Sequence, residues 1–306
     1  MEKSIESIET QNISSRLLSG ELLGKYCQFG AGGTAKYLFI AENLEDLIEA
    51  VLYAQKNHLP YHVIGTGGGL LFSDDGFDGL VIVNRSSRIN AIVGENVVVC
   101  DSGVSINSLI SYTAGRGLSG LEALAGVGGS VGGSIYSNAC AGATCLSNCL
   151  RCVTMLSHKG KIVRRSAQWL ELAPRTSKLH NFHKLAPWVI LAANFRLYRR
   201  RAEDIREDMR LARARSGRLA DNGVIAQVLI SPDSDQDAPE LIRRAGMGSA
   251  REGRAEIMRH DCDSLRNGGS ATSSDARRLI EKVIGGVAEK ENIKLKETIS
   301  YLGTWR

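Results

Sequence analysis

Residues 65–79 read GTGGGLLFSDDGFDG: a loop of four glycines and a threonine, a short apolar run, then an aspartate-rich turn. The loop follows directly on the β-rich run PYHVIG of residues 60–65. Glycine tolerates backbone angles that other residues avoid, so a cluster of it can turn several amide N–H groups toward one anion and bring the backbone close to a pyrophosphate. The loop lacks a Gly-Lys-Ser/Thr ending and opens no helix with an acidic residue twenty positions on, which sets aside the two commonest nucleotide-binding loops. On its own it reads as a tight turn or as a phosphate cradle.

A second glycine-rich stretch, GLSGLEALAGVGGSVGGSIYSNA at residues 117–139, adds the missing context. With the QFGAGGTAKY run at 28–37, the two loops resemble the FAD-binding domain of the UDP-N-acetylenolpyruvoylglucosamine reductase (UDP-N-acetylmuramate dehydrogenase) family, from about Tyr26 to Gly303. The resemblance implies an α+β fold: a two-part FAD-binding domain of the vanillyl-alcohol-oxidase/PCMH type plus a smaller C-terminal α/β substrate domain. It implies that Gly65, Thr66, Gly67, Gly68, Gly69 and Leu70 grip the FAD pyrophosphate from one side. Gly126, Val127, Gly128, Gly129, Ser130, Gly132 and Gly133 grip it from the other, Asn138 lies near the flavin, and NADPH is the electron donor. The expected organisation is an N-terminal extension over 1–20, the FAD domain over 21–200 with subdomains of about 21–86 and 87–200, and a linker helix and substrate domain over 201–306.

The residue patterns give an α+β order independently. AKYLFI, LEDLIEAVLYAQKNH and PYHVIG read as strand, helix and strand, a βαβ unit that empties into the glycine loop. INAIVGENVVVCDSG turns at Gly-Glu-Asn, SINSLISYTAGRG is helical, and CLRCVTMLSHKGKIVRR is a hairpin around Lys159-Gly160. After WVILAANFRLY, a helix from Ala202 to Arg218 leads to VIAQVLISP as a strand, PELIRRAG and ATSSDARRLIEKVIGGVAEKEN as helices, and KETISYLG as a closing strand.

The chemistry expected of the family is only partly present. The resemblance implies an arginine and a glutamate that stabilise an enol intermediate and a serine that donates its proton. LAPRTSKL at 172–179 keeps Arg175 and Ser177 but has Pro174 where tyrosine is usual. AQVLISP at 226–232 fits the Gly-Ser-x-Phe-x-Asn-Pro segment with Gln227 in the serine's place, and an amide cannot deliver a proton as a hydroxyl can. The glutamate position falls on Thr298, with Glu297 beside it on the opposite face of a regular strand unless a bulge shifts the register. HDCDSLRN at 260–267 replaces an apolar His-Ala-Asn-Phe run beside the UDP group.

Seven cysteines crowded toward one segment do not form the paired framework of a secreted domain, and a reducing compartment would keep them as thiols. Cys145, Cys149 and Cys152 have the C-x3-C-x2-C spacing of a [4Fe-4S] motif, with Cys140 available as a fourth ligand. Because this segment follows the glycine loop and runs into a strand, the expectation is no metal. Cys140 stands at a glycine position of the family: it reads as a buried small hydrophobe, or as a thiol acid/base, redox partner or flavin anchor. Cys27, Cys100 and Cys262 carry no assignment, and His180 and His183 lie near Arg175 in sequence.

The net charge is +5, with Arg196, Arg199, Arg200, Arg201, Arg206, Arg210, Arg213, Arg215 and Arg218 in one stretch. Interleaved acids favour a solvated helix over an anion-binding face, and without interleaved aromatics nucleic acid is set aside. No apolar run is long enough to span a bilayer and the N-terminal residues are polar and acidic, so the expected compartment is the cytoplasm. Three functions remain open: an FAD-dependent oxidoreductase acting on a different small anionic substrate held by Arg175, a genuine UDP-N-acetylmuramate dehydrogenase with substituted catalytic residues, or a flavin-binding protein without turnover.

Overall fold

The computed structural model describes residues 13–92, 94–181, 188–216, 223–232 and 236–305. Expectations for His183, Arg218 and the first twelve residues lie outside them. Contacts divide the described chain into two compact units, one within Met1–Ser19, Tyr37–Thr66 and Gly79–Gly217, the other within Gly20–Lys36, Gly67–Asp78 and Arg218–Arg306.

The first unit holds two sheets. In one, the strand order is Leu18–Ser19, Ala35–Ala41, Phe77–Asn84, Tyr61–Ile64. The expected strand, helix and strand form, but Tyr61–Ile64 pairs in parallel with Phe77–Asn84 rather than with Ala35–Ala41. LVIV within Phe77–Asn84 explains the position, since an apolar run buried on both faces belongs in a sheet interior. Helix α1 (Leu44–Lys56) starts where the Asn43 side chain accepts the Asp46 N–H. Its buried residues, Leu47, Ile48, Ala50, Val51 and Ala54, pack with Phe39, Leu80 and Ile82.

The other sheet is antiparallel, in the order Ile162–Ser166, Leu150–Leu156, Val189–Arg196, Val97–Asp101, Ile89–Ile92. Both expected hairpins are present, the turn of one passing through Lys159-Gly160. Helices α2 (Ile106–Ala114) and α3 (Val131–Tyr136) and Phe195 share its core. Helix α4 (Ala202–Ser216) adds Ile205, Met209 and Ala212, an inward stripe at helical spacing. Its outer charges pair as Arg201–Asp204, Arg210–Glu207 and Arg200–Asp208, the arrangement of a solvated face.

The second unit contains a sheet in the order Val224–Ile225, Asp261–Asn267, Ala255–Met258, Arg251–Glu252, with helices α5 (Ala238–Arg244) and α6 (Ser273–Glu291). Two expected strands are broken. VIAQVLISP splits into Val224–Ile225 and Leu229–Ile230 because Gln227 between them is left-handed, at φ +52°. KETISYLG splits into Lys296–Glu297, paired with Leu229–Ile230, and Ser300–Leu302, parallel to Leu70–Phe72. The Asp74 carboxylate accepts the amides of Ser273 and Ser274 at 2.9 Å each, closing the start of α6. No described helix is long and apolar enough to cross a membrane.

Phe195 is fully buried on the antiparallel sheet. Phe195→Ala is expected to cost about 3–5 kcal/mol, read as a lowered urea midpoint.

Candidate active site

In the first unit the two glycine loops meet. A Cβ on Gly65 would lie 2.1 Å from the Ser130 hydroxyl oxygen, so only glycine permits the approach. Ser130 is held in turn: Val131 donates to the Val104 carbonyl and Gly132 to the Ser102 carbonyl, both at 2.8 Å. The Asn107 side chain spans the start of the loop, accepting from Gly126 and donating to the Val127 carbonyl. Among the described residues, no protein acceptor takes the amides of Gly128, Gly129 and Ser130. Three successive free donors around Gly129, at φ +112°, suit an anion. Gly133, by contrast, donates to Ser130 Oγ within the first turn of α3.

From Gly67 onward the first loop belongs to the second unit. A Cβ on Gly67 would lie 2.2 Å from the Tyr26 carbonyl oxygen, and Gln28 donates to the Gly67 carbonyl. Ser300 donates to the Gly69 carbonyl just before the Leu70–Phe72 strand.

Arg175 sits at the third position of a tight turn, 173–176, in which Ala173 and Thr176 exchange both backbone hydrogen bonds. Pro174 presets the second position, and Arg175 is left-handed at φ +60°, the pattern of a type II turn. Its Nη2 donates to the Cys140 carbonyl at 3.0 Å. Asn138, buried and at φ +44°, ties this turn down: its Nδ2 donates to the Ala173 carbonyl and its Oδ1 accepts the Ser147 amide. Ser177 is buried and donates to the Tyr136 carbonyl at 2.6 Å, while its amide donates to His180 Nδ1. Ser177 and His180 therefore support the turn.

The second unit brings Gln227 and Thr298 together. Thr298 Oγ1 donates to the Gln227 carbonyl at 2.5 Å, and the Thr298 amide donates to the Val228 carbonyl at 3.0 Å. The Gln227 amide donates to Ser264 Oγ, which donates to Asp261 Oδ2 at 2.5 Å. Glu297 lies one residue away, opposite Leu229 in the short ladder, with Thr298 outside it. Asp263, whose carbonyl accepts the Val228 amide, is buried; burial and then the neighbouring Asp261 push its carboxyl up to about 7. In sequence HDCDSLRN is foreign to the family, but Asp261, Asp263 and Ser264 carry no role there. Two acids on a strand expected to be apolar were the available signal.

The cysteines depart from expectation. Cys140 and Cys145 form a disulfide, so neither is the free thiol expected of a reducing compartment, and a Cys140 thiol acid/base does not exist in this state. They flank a hairpin with Ala141 opposite Thr144 and Gly142 at φ +57°, which makes them direct cross-strand neighbours. Cysteines at both ends of a Gly-containing tetrapeptide were the signal missed. Cys149 lies against the Gly120 carbonyl with its thiol pushed up to about 11 by burial, and Cys152 contacts Arg164 on the adjacent strand. Among the described residues, no three His, Cys, Asp or Glu side chains are grouped to hold a metal ion.

Residues 35–166 match the model of an FAD-binding domain, and residues 220–302 match that of the UDP-N-acetylenolpyruvoylglucosamine reductase C-terminal domain. Enzymes named UDP-N-acetylenolpyruvoylglucosamine reductase are similar along nearly the whole chain. That of Rubrobacter xylanophilus is 31% identical over 284 residues, covering 92% of this chain and 94% of its own. That of Gloeobacter violaceus is 31% identical over 297 residues, covering 95% and 98%. The crystal structure of the Thermus caldophilus reductase superposes with a TM-score of 0.77 at 26% identity, covering 94% of this chain and 99% of that one. Fold and loops thus define an FAD-dependent oxidoreductase. The chain belongs to the UDP-N-acetylenolpyruvoylglucosamine reductase family.

Gly65→Ala forces a carbon into Ser130, and overpacking of this kind is expected to weaken FAD retention about tenfold or more, read as flavin absorbance per protein after gel filtration. Asp263 gives a pH signature. Its carboxyl rises from an ordinary 3.8 to about 7 on folding, so between about pH 4 and 7 only the unfolded chain releases the proton and stability falls. Below that window both states hold the proton, and above it the loss is complete. Asp263→Asn is expected to abolish the fall, shown by urea midpoints at pH 5 and pH 8.

Proposed function

We propose that this protein is a cytoplasmic FAD-dependent reductase whose substrate is a small anion other than the enolpyruvyl UDP-sugar in its relatives' name. The observation that carries the reading is the pairing of Gln227 with Thr298: the Thr298 hydroxyl is spent on the Gln227 carbonyl. Neither position then offers the serine hydroxyl and carboxylate expected of the family.

The glycine loops fit the cofactor, because Gly65 leaves room beside Ser130 and the amides of Gly128, Gly129 and Ser130 are free to meet a pyrophosphate. The FAD these loops would hold would supply hydride chemistry between a nicotinamide donor, for which we name NADPH, and a polarised double bond of the substrate. Arg175 holds the anionic end of the substrate, its charge permanent at every working pH and its orientation set by the Cys140 carbonyl. Asn138 keeps the arginine's turn in place, while Ser177 and His180 support it from beneath.

A second reading retains the family substrate. Asp263 favours it, since a buried carboxyl pushed to about 7 is still half protonated near neutrality and its backbone already bonds Val228. One experiment separates the two. Purified holoprotein is reduced anaerobically with NADPH and mixed with UDP-N-acetylenolpyruvoylglucosamine. The expected result is rapid bleaching by NADPH and no flavin reoxidation by that compound within minutes. Reoxidation within seconds would establish the second reading, and a flavin that NADPH leaves unbleached would overturn the reductase assignment. Arg175→Lys is expected to raise KM for an accepted anionic substrate about tenfold or more, since a lysine cannot reproduce the planar fork.

A further inference from the structure

The turn that carries Arg175 is held at two points by one short segment: Asn138 donates to the Ala173 carbonyl, and the Cys140 carbonyl accepts from Arg175 itself. The segment leads straight into the hairpin closed by the Cys140–Cys145 disulfide. That hairpin has only two residue pairs around an exposed Gly142 turn, too few for a ladder that stands unaided. The covalent bond supplies what the ladder lacks by denying the segment its alternative conformations.

We infer that Cys140 and Cys145 are positioning residues for Arg175: their disulfide fixes the carbonyl that the guanidinium donates to, and opening it loosens that contact. Cys140 is buried and Cys145 half-buried, so Cys145 is the sulfur open to attack. A thiolate of a dithiol reductant forms a mixed disulfide there, the S–S bond breaks, and Cys140 leaves and takes up a proton. The second thiol of the reagent then closes its own cyclic disulfide and releases Cys145 as a thiol. Two electrons and two protons pass from reagent to protein. A thiol poise reducing enough to open the pair loosens the grip on Arg175, and one oxidising enough to close it restores the grip. The inference rests on the assignment of Arg175 for its functional meaning, but the linkage itself is measurable without turnover.

The test uses air-oxidised holoprotein. Alkylation after denaturation is expected to label five cysteines before treatment and all seven after dithiothreitol. Phenylglyoxal labelling, followed residue by residue by peptide mass spectrometry, then compares Arg175 with Arg116, which is stacked on Tyr112 at the end of α2. Dithiothreitol is expected to speed labelling of Arg175 about threefold or more, the scale of losing one hydrogen bond, and to leave Arg116 unchanged. Cys145→Ser is expected to label at the fast rate without reductant. Reoxidation with diamide should restore the slow rate in the native protein and not in the variant. An Arg175 rate indifferent to reduction, seven thiols in the air-oxidised protein, or a parallel rise at Arg116 would each overturn the inference. None of these outcomes depends on the identity of the substrate.

Discussion

Gly65 approaches Ser130 so closely that a single methyl group would end the contact, its carbon falling 2.1 Å from the hydroxyl oxygen. The meeting of the two glycine loops in the first unit depends on this bare α-carbon. Ser130 must stand where the second loop turns into α3, and it stays there because the carbonyls of Val104 and Ser102 accept the amides of the two residues that follow it. Ser102 is itself fixed by Asn84, which also accepts from the Ser86 amide, so the constraint passes from loop to sheet. A rigid backing of this kind keeps neighbouring N–H groups aimed without the flexible charge of a lysine.

Much of this architecture was legible in the chain. Strand and helix periods placed α1, α2 and α6, and the Lys159-Gly160 turn named its hairpin. These features are local, and local patterns register in sequence. What escaped was set by distant partners or by single dihedral angles. Nothing in PYHVIG announces that its neighbour is the later strand Phe77–Asn84. VIAQVLISP has good strand propensity throughout, yet left-handed Gln227 breaks it and turns the glutamine carbonyl to Thr298. In the first unit the glycine loops and Arg175 were legible as candidates from local sequence. In the second unit Asp263 was not, because its raised carboxyl comes from burial, which only the packed structure supplies.

The candidate residues of the two units are held by opposite means. Around Arg175, permanent charge is held by neutral groups: a carbonyl from Cys140, an amide from Asn138, and a turn that Pro174 shapes in advance. Around Gln227 the groups are small and uncharged, and the ionisable ones stand behind them as Asp261 and Asp263, bridged by Ser264. A carboxyl held near 7 responds to modest changes in its surroundings, whereas a guanidinium does not.

The tie between Asp74 and the start of α6 spans 199 residues of chain, and the strand Leu70–Phe72 waits longer still for Ser300–Leu302. During synthesis at about 5–20 residues per second, this interval lasts on the order of ten to forty seconds. Throughout it, an apolar Leu-Leu-Phe edge and an unsatisfied aspartate are already outside the ribosome while their partners are not yet made. The second unit is therefore the last to close, and the first is complete well before it. A nascent chain of this design leaves that apolar edge unpaired until the final strand arrives, the kind of exposure that favours aggregation.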